Sequence, residues 1–80
     1  MIPGNSSVSL DLRGLACPLP VLRTRKMLRR LSSGDRLIVA CTDPLANLDI
    51  PHLLRETGDT LERQETEDGL FIFHIKRGKG

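Results

Sequence analysis

The chain has 80 residues (8.9 kDa), with 39% hydrophobic side chains, 28% charged side chains and a formal net charge of +2. This is the composition of one globular domain, residues 1–80, with a thin core, because a chain this short buries only about 60–65% of its unfolded surface. It excludes a fibrous repeat and a disordered tail, and no run approaches the ~20 apolar residues of a membrane helix.

With no Trp, no Tyr and two Phe, the chain lacks the aromatic platform that single-stranded nucleic acid stacks on. Residues 1–40 carry a net charge of +5 and residues 41–80 a net charge of −3. That dipole suits docking to an acidic partner better than wrapping nucleic acid. The first nine residues have neither a basic nor an apolar segment of a secretory signal, so a cytoplasmic location with reduced thiols and no membrane contact is expected. Cys17 and Cys41 form no CxxC pair, and with His52 and His74 they match no common zinc spacing, so no metal is expected.

Residues 1–7, with Pro3, Gly4 and two serines, read as a flexible lead-in, and 77–80 as a flexible tail. Residues 8–13 alternate apolar Val8, Leu10 and Leu12 with polar Ser9, Asp11 and Arg13, the period of a half-buried strand. After Gly14, residues 18–31 carry Val21, Thr24, Leu28 and Leu31 on one helical stripe. Pro18 suits the first helical position, which puts Cys17 at the cap or within one residue of it. Residues 36–42, the most β-branched and apolar run, predict an inner strand.

A second helix runs to Thr57 with Ile50, Leu53 and Leu54 inward, and Gly58 ends it. Two starts fit: Asp43 capping a helix kinked at Pro51, or Asp49 capping a shorter one. Residues 60–66 and 70–76 flank Asp68-Gly69, a strong hairpin signal. Glu62, Gln64 and Thr66 are expected to face water; Phe71, Phe73 and Ile75 share the inner face. The order is βαβαββ, and we expect a two-layer α/β sandwich with two helices on one face of a four-stranded mixed sheet.

Chemistry concentrates at Cys17. A cysteine at a helix N-terminus lies among unpaired N–H groups at the positive end of the helix dipole, so its pKa is expected below that of a free thiol. Arg13 and the basic first helix would add to this if close. A cysteine hydrolase also needs a base and a group to orient it. His74 is expected on the open sheet face and His52 on the outer side of its helix, both as surface residues. A nucleophile without such machinery fits a carrier whose partners supply the chemistry.

The run Asp11-x-Arg13-Gly14-x-x-Cys17-Pro18-x-Pro20 resembles the CPxP signature of the TusA/SirA-type sulfur-carrier family. Thr42-Asp43-Pro44, Asp49-Ile50-Pro51, Gly58 followed by Leu61, and the final hairpin resemble later blocks of that family. The resemblance implies a βαβαββ sandwich, also similar to the C-terminal domain of translation initiation factor 3. It implies that Cys17 bears sulfur as a persulfide, with no other cofactor, acting in a relay rather than as a stand-alone catalyst. Asp11, Arg13 and Gly14 would shape the approach, and Pro18 and Pro20 would hold the cysteine at the helix tip. The donor would be a cysteine desulfurase or rhodanese-like protein, and the acceptor a protein of tRNA thiolation, molybdenum-cofactor biosynthesis or sulfur oxidation. Two departures are Asp59, where many members have His, and Leu53-Leu54, where many have an aromatic-Cys pair.

Arg23, Arg25, Lys26, Arg29 and Arg30 make the first helix a candidate docking face or a solvated one. Cys41 reads as a core cysteine, with a resolving partner for Cys17 as the alternative. An RNA-binding module and a thiol-based regulatory module stay open beside the carrier.

Overall fold

The computed structural model describes residues 7–78. The elements are β1 (Ser7–Leu12), α1 (Leu19–Leu28), β2 (Arg36–Cys41), α2 (Ala46–Thr57), β3 (Thr60–Glu67) and β4 (Leu70–Lys76). They form the expected two-layer sandwich on one four-stranded sheet of order β1-β2-β4-β3. β1 runs parallel to β2, and β4 is antiparallel to both β2 and β3.

Strand alternation and register build the inner face in rows. Val8 lies beside Leu37, and Leu37 beside Ile75; Leu10, Val39 and Phe73 form the next row, and Leu12, Cys41 and Phe71 the last. Leu37, Val39, Cys41, Phe73 and Ile75 are fully buried there beneath Leu28, Ile50 and Leu54 of the helices. Asp68 and Gly69 both take positive φ (47° and 79°), the left-handed pair that a two-residue hairpin turn requires.

Several boundaries move. α1 stops at Leu28 rather than 31, because the Arg30 and Leu31 N–H groups bond the carbonyls of Met27 and Leu28, three residues back. That tightens the end into a 3₁₀-type turn. Pro18 is the N-cap rather than the first helical residue, and Pro20, in the first turn, is buried. For α2 the longer reading holds, with Pro51 inside the helix. Its N-cap is Leu45, without a side-chain cap bond, rather than Asp43 or Asp49. Asp43 closes the turn before it: its Oδ1 accepts the Leu45 N–H (3.0 Å) and its carbonyl accepts the Ala46 N–H (3.0 Å).

In β3, Glu62, Gln64 and Thr66 are exposed as expected, but a bulge between Leu61 and Arg63 breaks their alternation. Gln64 and Thr66 therefore stand opposite Phe73 and Phe71 on the helix side, and Gln64 Nε2 donates to Asn47 Oδ1 of α2 (2.7 Å). On the open face, His74 Nε2 lies 2.8 Å from Glu65 Oε1.

Arg77 and Gly78 are not a loose tail. The Arg77 N–H bonds the Asp35 carbonyl (2.8 Å), and the Arg77 carbonyl accepts the Gly34 N–H (2.9 Å). The buried Asp59 carboxylate takes Arg77 Nη1 (2.8 Å), the Gly78 N–H (2.6 Å) and the Thr57 hydroxyl (2.6 Å). Burial alone would raise the Asp59 carboxyl, but these donors outweigh it and hold it below the usual range. A Cβ at Gly78 would collide with the Gly58 carbonyl, so only glycine fits that approach. The remaining expected tail residues, 1–6 and 79–80, lie outside the described residues.

Burial, with the charge of Asp43 adding to it, pushes the Cys41 thiol up to about 11. The folded chain thus binds that proton more tightly than the unfolded chain. The resulting stability is fully present below the ordinary thiol pKa and is lost as pH rises through it toward 11. Denaturant titrations should show a loss of about 2–3 kcal/mol across that window. Cys41→Ala should start less stable and fall less steeply; parallel curves would refute the assignment.

Candidate functional site

The register of β1 with β2 places Leu12 opposite Cys41, so the loops that follow the two strands leave the sheet side by side. They are bonded to each other. The Gly14 N–H donates to Thr42 Oγ1 (2.9 Å), and the Cys17 N–H donates to Asp43 Oδ2 (2.6 Å). Asp43 thus anchors the cysteine loop with one carboxylate oxygen and the turn before α2 with the other.

Cys17 is exposed in the turn one residue before the N-cap of α1, and its peptide bond to Pro18 is cis. Its Sγ lies 3.2 Å from Asp49 Oδ2, in the first turn of α2. The two residues line a cleft of about 190 Å³ between α1 and α2, with Pro18 and Val21 on one wall and His52, Leu53 and Glu56 on the other. His52 is exposed and its Nε2 is 3.8 Å from Glu56 Oε2, so it sits at the rim rather than away from the thiol. Leu53, one of the two leucines at the family's aromatic-Cys positions, forms part of the floor.

The charge around the sulfur corrects the expected acidity. The Cys17 pKa is raised, not lowered: the hydrogen bond to the Asp49 carboxylate is the main cause, followed by burial and the negative charges of Asp49 and Asp43. The helix amides do not compensate: Cys17 stands one residue outside the N-cap Pro18, and none of the described hydrogen bonds brings an α1 amide to its sulfur. Arg13 does not compensate either. Its Nε and Nη2 grip Asp11 Oδ1 and Oδ2, each at 2.9 Å, and this pairing lowers the Asp11 carboxyl to about 2. Asp11 and Arg13 are thus joined to each other at the strand end, both exposed, and none of their described bonds reaches Cys17. Gly14, at φ +83°, makes the turn between them and the cysteine.

The basic residues of α1 and of the turn that follows it divide between two flanks rather than forming one face. Arg23, Lys26 and Arg30 border a depression of about 420 Å³ beside Leu10 of β1. Arg25 and Arg29 border a second, of about 410 Å³, shared with Arg77 and Asp59. Arg25 is half-buried and reaches Glu56 at 3.9 Å; the others are exposed. Among the described residues, the large apolar side chains left exposed are Leu19 and Leu22 near the start of α1, and Leu45 and Leu48 near the start of α2. All four stand on the helix ends that flank Cys17.

Sequence reasoning missed Asp43 and Asp49 as parts of the site. Both lay in the blocks Thr42-Asp43-Pro44 and Asp49-Ile50-Pro51, which resembled the family without a role attached. Cys41 and Cys17 are both free, the first fully buried and the second exposed. Among the described residues, no group of three or more His, Cys, Asp or Glu side chains is arranged to hold a metal ion, and no helix is long and apolar enough to cross a membrane.

The profile of the family described as Sulfurtransferase TusA matches residues 8–77. The chain is 44% identical over 68 residues to the sulfur carrier protein TusA of Allochromatium vinosum, covering 85% of this chain and 90% of that protein. It is 42% identical over 69 residues to a putative sulfur carrier protein of Aquifex aeolicus, covering 86% of this chain but 35% of that longer protein. The solved structure of a SirA-like protein from Desulfitobacterium hafniense superposes with a TM-score of 0.78 over 90% of this chain and 99% of that one, at 23% identity, a likeness of fold.

The Asp43 bridge predicts a specific loss. Asp43→Ala should cost about 1–2 kcal/mol, as removal of a carboxylate that accepts backbone N–H groups does. It should also speed hydrogen exchange at the Cys17 and Leu45 amides before other sites. Unchanged protection of the Cys17 amide would show that the loop holds itself.

Proposed function

Because the chain belongs to the TusA family of sulfur carriers, we propose that it accepts sulfane sulfur as a persulfide on Cys17 and passes it to an acceptor protein. The observation that supports this most is the placement of the thiol. It is exposed in the turn before α1, at a small cleft, and exposed leucines stand in the starting segments of both helices. A partner's sulfur can reach it there, and the leucines offer that partner apolar surface to cover.

Loading is an exchange in which nothing is oxidised overall. The Cys17 sulfur, having lost its proton, attacks the outer sulfur of a donor persulfide. One S–S bond forms, the donor's S–S bond breaks, and the donor leaves as a thiolate that takes up a proton. Delivery reverses these roles with an acceptor thiolate. A persulfide is more acidic than a thiol, so onward transfer asks for no dedicated base. Donors of the cysteine desulfurase or rhodanese-like class, and acceptors in tRNA thiolation, molybdenum-cofactor biosynthesis or sulfur oxidation, fit this chemistry. We place it in the reducing cytoplasm, where both free cysteines stay reduced.

Intact-mass analysis after incubation with a cysteine desulfurase and cysteine tests the reading. The wild-type chain should gain one or more sulfur atoms, mapped to Cys17 and removed by a reductant. Cys41→Ala should still load and Cys17→Ser should not, while keeping its fold. Loading of Cys17→Ser would overturn the assignment, and loss of loading in Cys41→Ala would favour the two-cysteine regulatory module.

Docking is proposed to use the basic flanks of α1 together with the exposed leucines Leu19, Leu22, Leu45 and Leu48. Arg25 is a poor probe because it packs against Glu56, so Arg29→Glu with Arg30→Glu changes the exposed charges instead. The pair should slow loading from a protein donor by about tenfold or less while moving stability by only about 0.5 kcal/mol per site. Rising salt should mimic it in the wild type. Loading unaffected by both would leave these arginines merely solvated.

A further inference from the structure

The surroundings of the thiol carry the opposite sign to the chain as a whole. The protein has a net charge of +2, yet the charged groups nearest Cys17 are carboxylates. Asp49 Oδ2 accepts from Sγ at 3.2 Å, and Asp43 Oδ2 accepts the N–H of the same residue at 2.6 Å. Glu56 closes the far end of the cleft, with His52 beside it. Pro18 and Val21 line its other side, and Arg25 of α1 reaches Glu56 at 3.9 Å. Arg13 is spent on Asp11, and the basic side chains of α1 border the two other depressions.

We propose that Asp49 is a guard on the carrier sulfur: its carboxylate keeps Cys17 protonated in the free protein and turns small anionic reagents away. Exchange is thereby reserved for protein partners that cover the carboxylate. This rests on the reading of Cys17 as the sulfur-bearing residue. A carrier needs such a device because the cell's abundant low-molecular-weight thiols react as thiolates. An unguarded persulfide would lose its sulfur to them, and an unguarded thiolate would be consumed by electrophiles.

The contact itself supplies the mechanism. The S–H donates to a carboxylate, so removing its proton leaves two negative charges within hydrogen-bond distance, a state that Coulomb repulsion disfavours. An approaching anion meets the same repulsion. The bland alternative is that Asp49 merely favours the positive end of α2 from its first turn. That role would alter stability without altering the chemistry of the thiol.

The test uses two alkylating reagents of similar size, neutral iodoacetamide and anionic iodoacetate, on the full chain, with the adduct at Cys17 quantified by peptide mass. Asp49→Asn keeps the shape and removes the charge. Its iodoacetamide profile should move to lower pH, with a rate at neutral pH about threefold or more above wild type. The ratio of iodoacetate to iodoacetamide rates should rise by about twofold or more. A superimposable pH profile, or an unchanged reagent ratio, overturns the proposal.

Should Asp49→Asn fail to fold, the wild type alone decides. Its iodoacetate rate should climb toward its iodoacetamide rate as salt screens the carboxylates, and a salt-independent ratio overturns the guard. Neither measurement involves sulfur loading. A chain that passes these tests but never gains sulfur would sink the carrier reading alone. A chain that loads normally but fails them would sink the guard alone.

Discussion

The parallel pairing of β1 with β2, Leu12 against Cys41, is the constraint from which the site follows. Parallel strands end at the same edge of a sheet, so whatever follows one must lie beside whatever follows the other. Here that brings Gly14 to Thr42 and Cys17 to Asp43. The same register aligns the apolar rows across β4, with Val39 against Phe73 at their centre. A slip of one residue would turn every core side chain outward and part the two loops at once. Core and site are therefore specified by one set of backbone bonds.

The thiol shows how far a general rule can be overridden by particular neighbours. A helix N-terminus favours anions by a modest amount that fades within a turn. Cys17 stands one residue outside the cap, and a carboxylate at hydrogen-bond distance outweighs that field. The outcome is a sulfur that is open to solvent yet held in its less reactive form. Exposure and activation are separate properties, set here by different elements: the turn before α1 supplies the first, and α2 withholds the second.

What was legible in the sequence was what depends on near neighbours. Two-residue alternation marked β1 and β4, a β-branched apolar run marked β2, the stripe through Thr24 and Leu28 marked α1, and Asp68-Gly69 marked the hairpin. The bulge at Glu62 was not legible, because it arises from how β3 must pair with β4 rather than from its own side chains. The early end of α1 escaped for a related reason: Leu31 continues the apolar stripe while the backbone has already tightened into a turn. At the site, Cys17 and its prolines could be read from ten consecutive residues. Asp49 could not, since nothing local ties it to a cysteine 32 positions earlier. Only the register and the length of α2 do so.

That separation in sequence gives the Cys17–Asp49 contact a property that a local pair would lack. Fraying of the first turns of α2 dissolves it, and the thiol then loses the main cause of its raised pKa while the turn that exposes it stays in place. Most buried or capped cysteines in folded domains become more reactive on unfolding because reagents can reach them. Here access is constant and only the charge beside the sulfur changes. The sulfur is thereby an inbuilt reporter of fold integrity. A carrier whose second helix has come loose exposes itself first through its chemistry, and is the one most open to irreversible capping of its thiol.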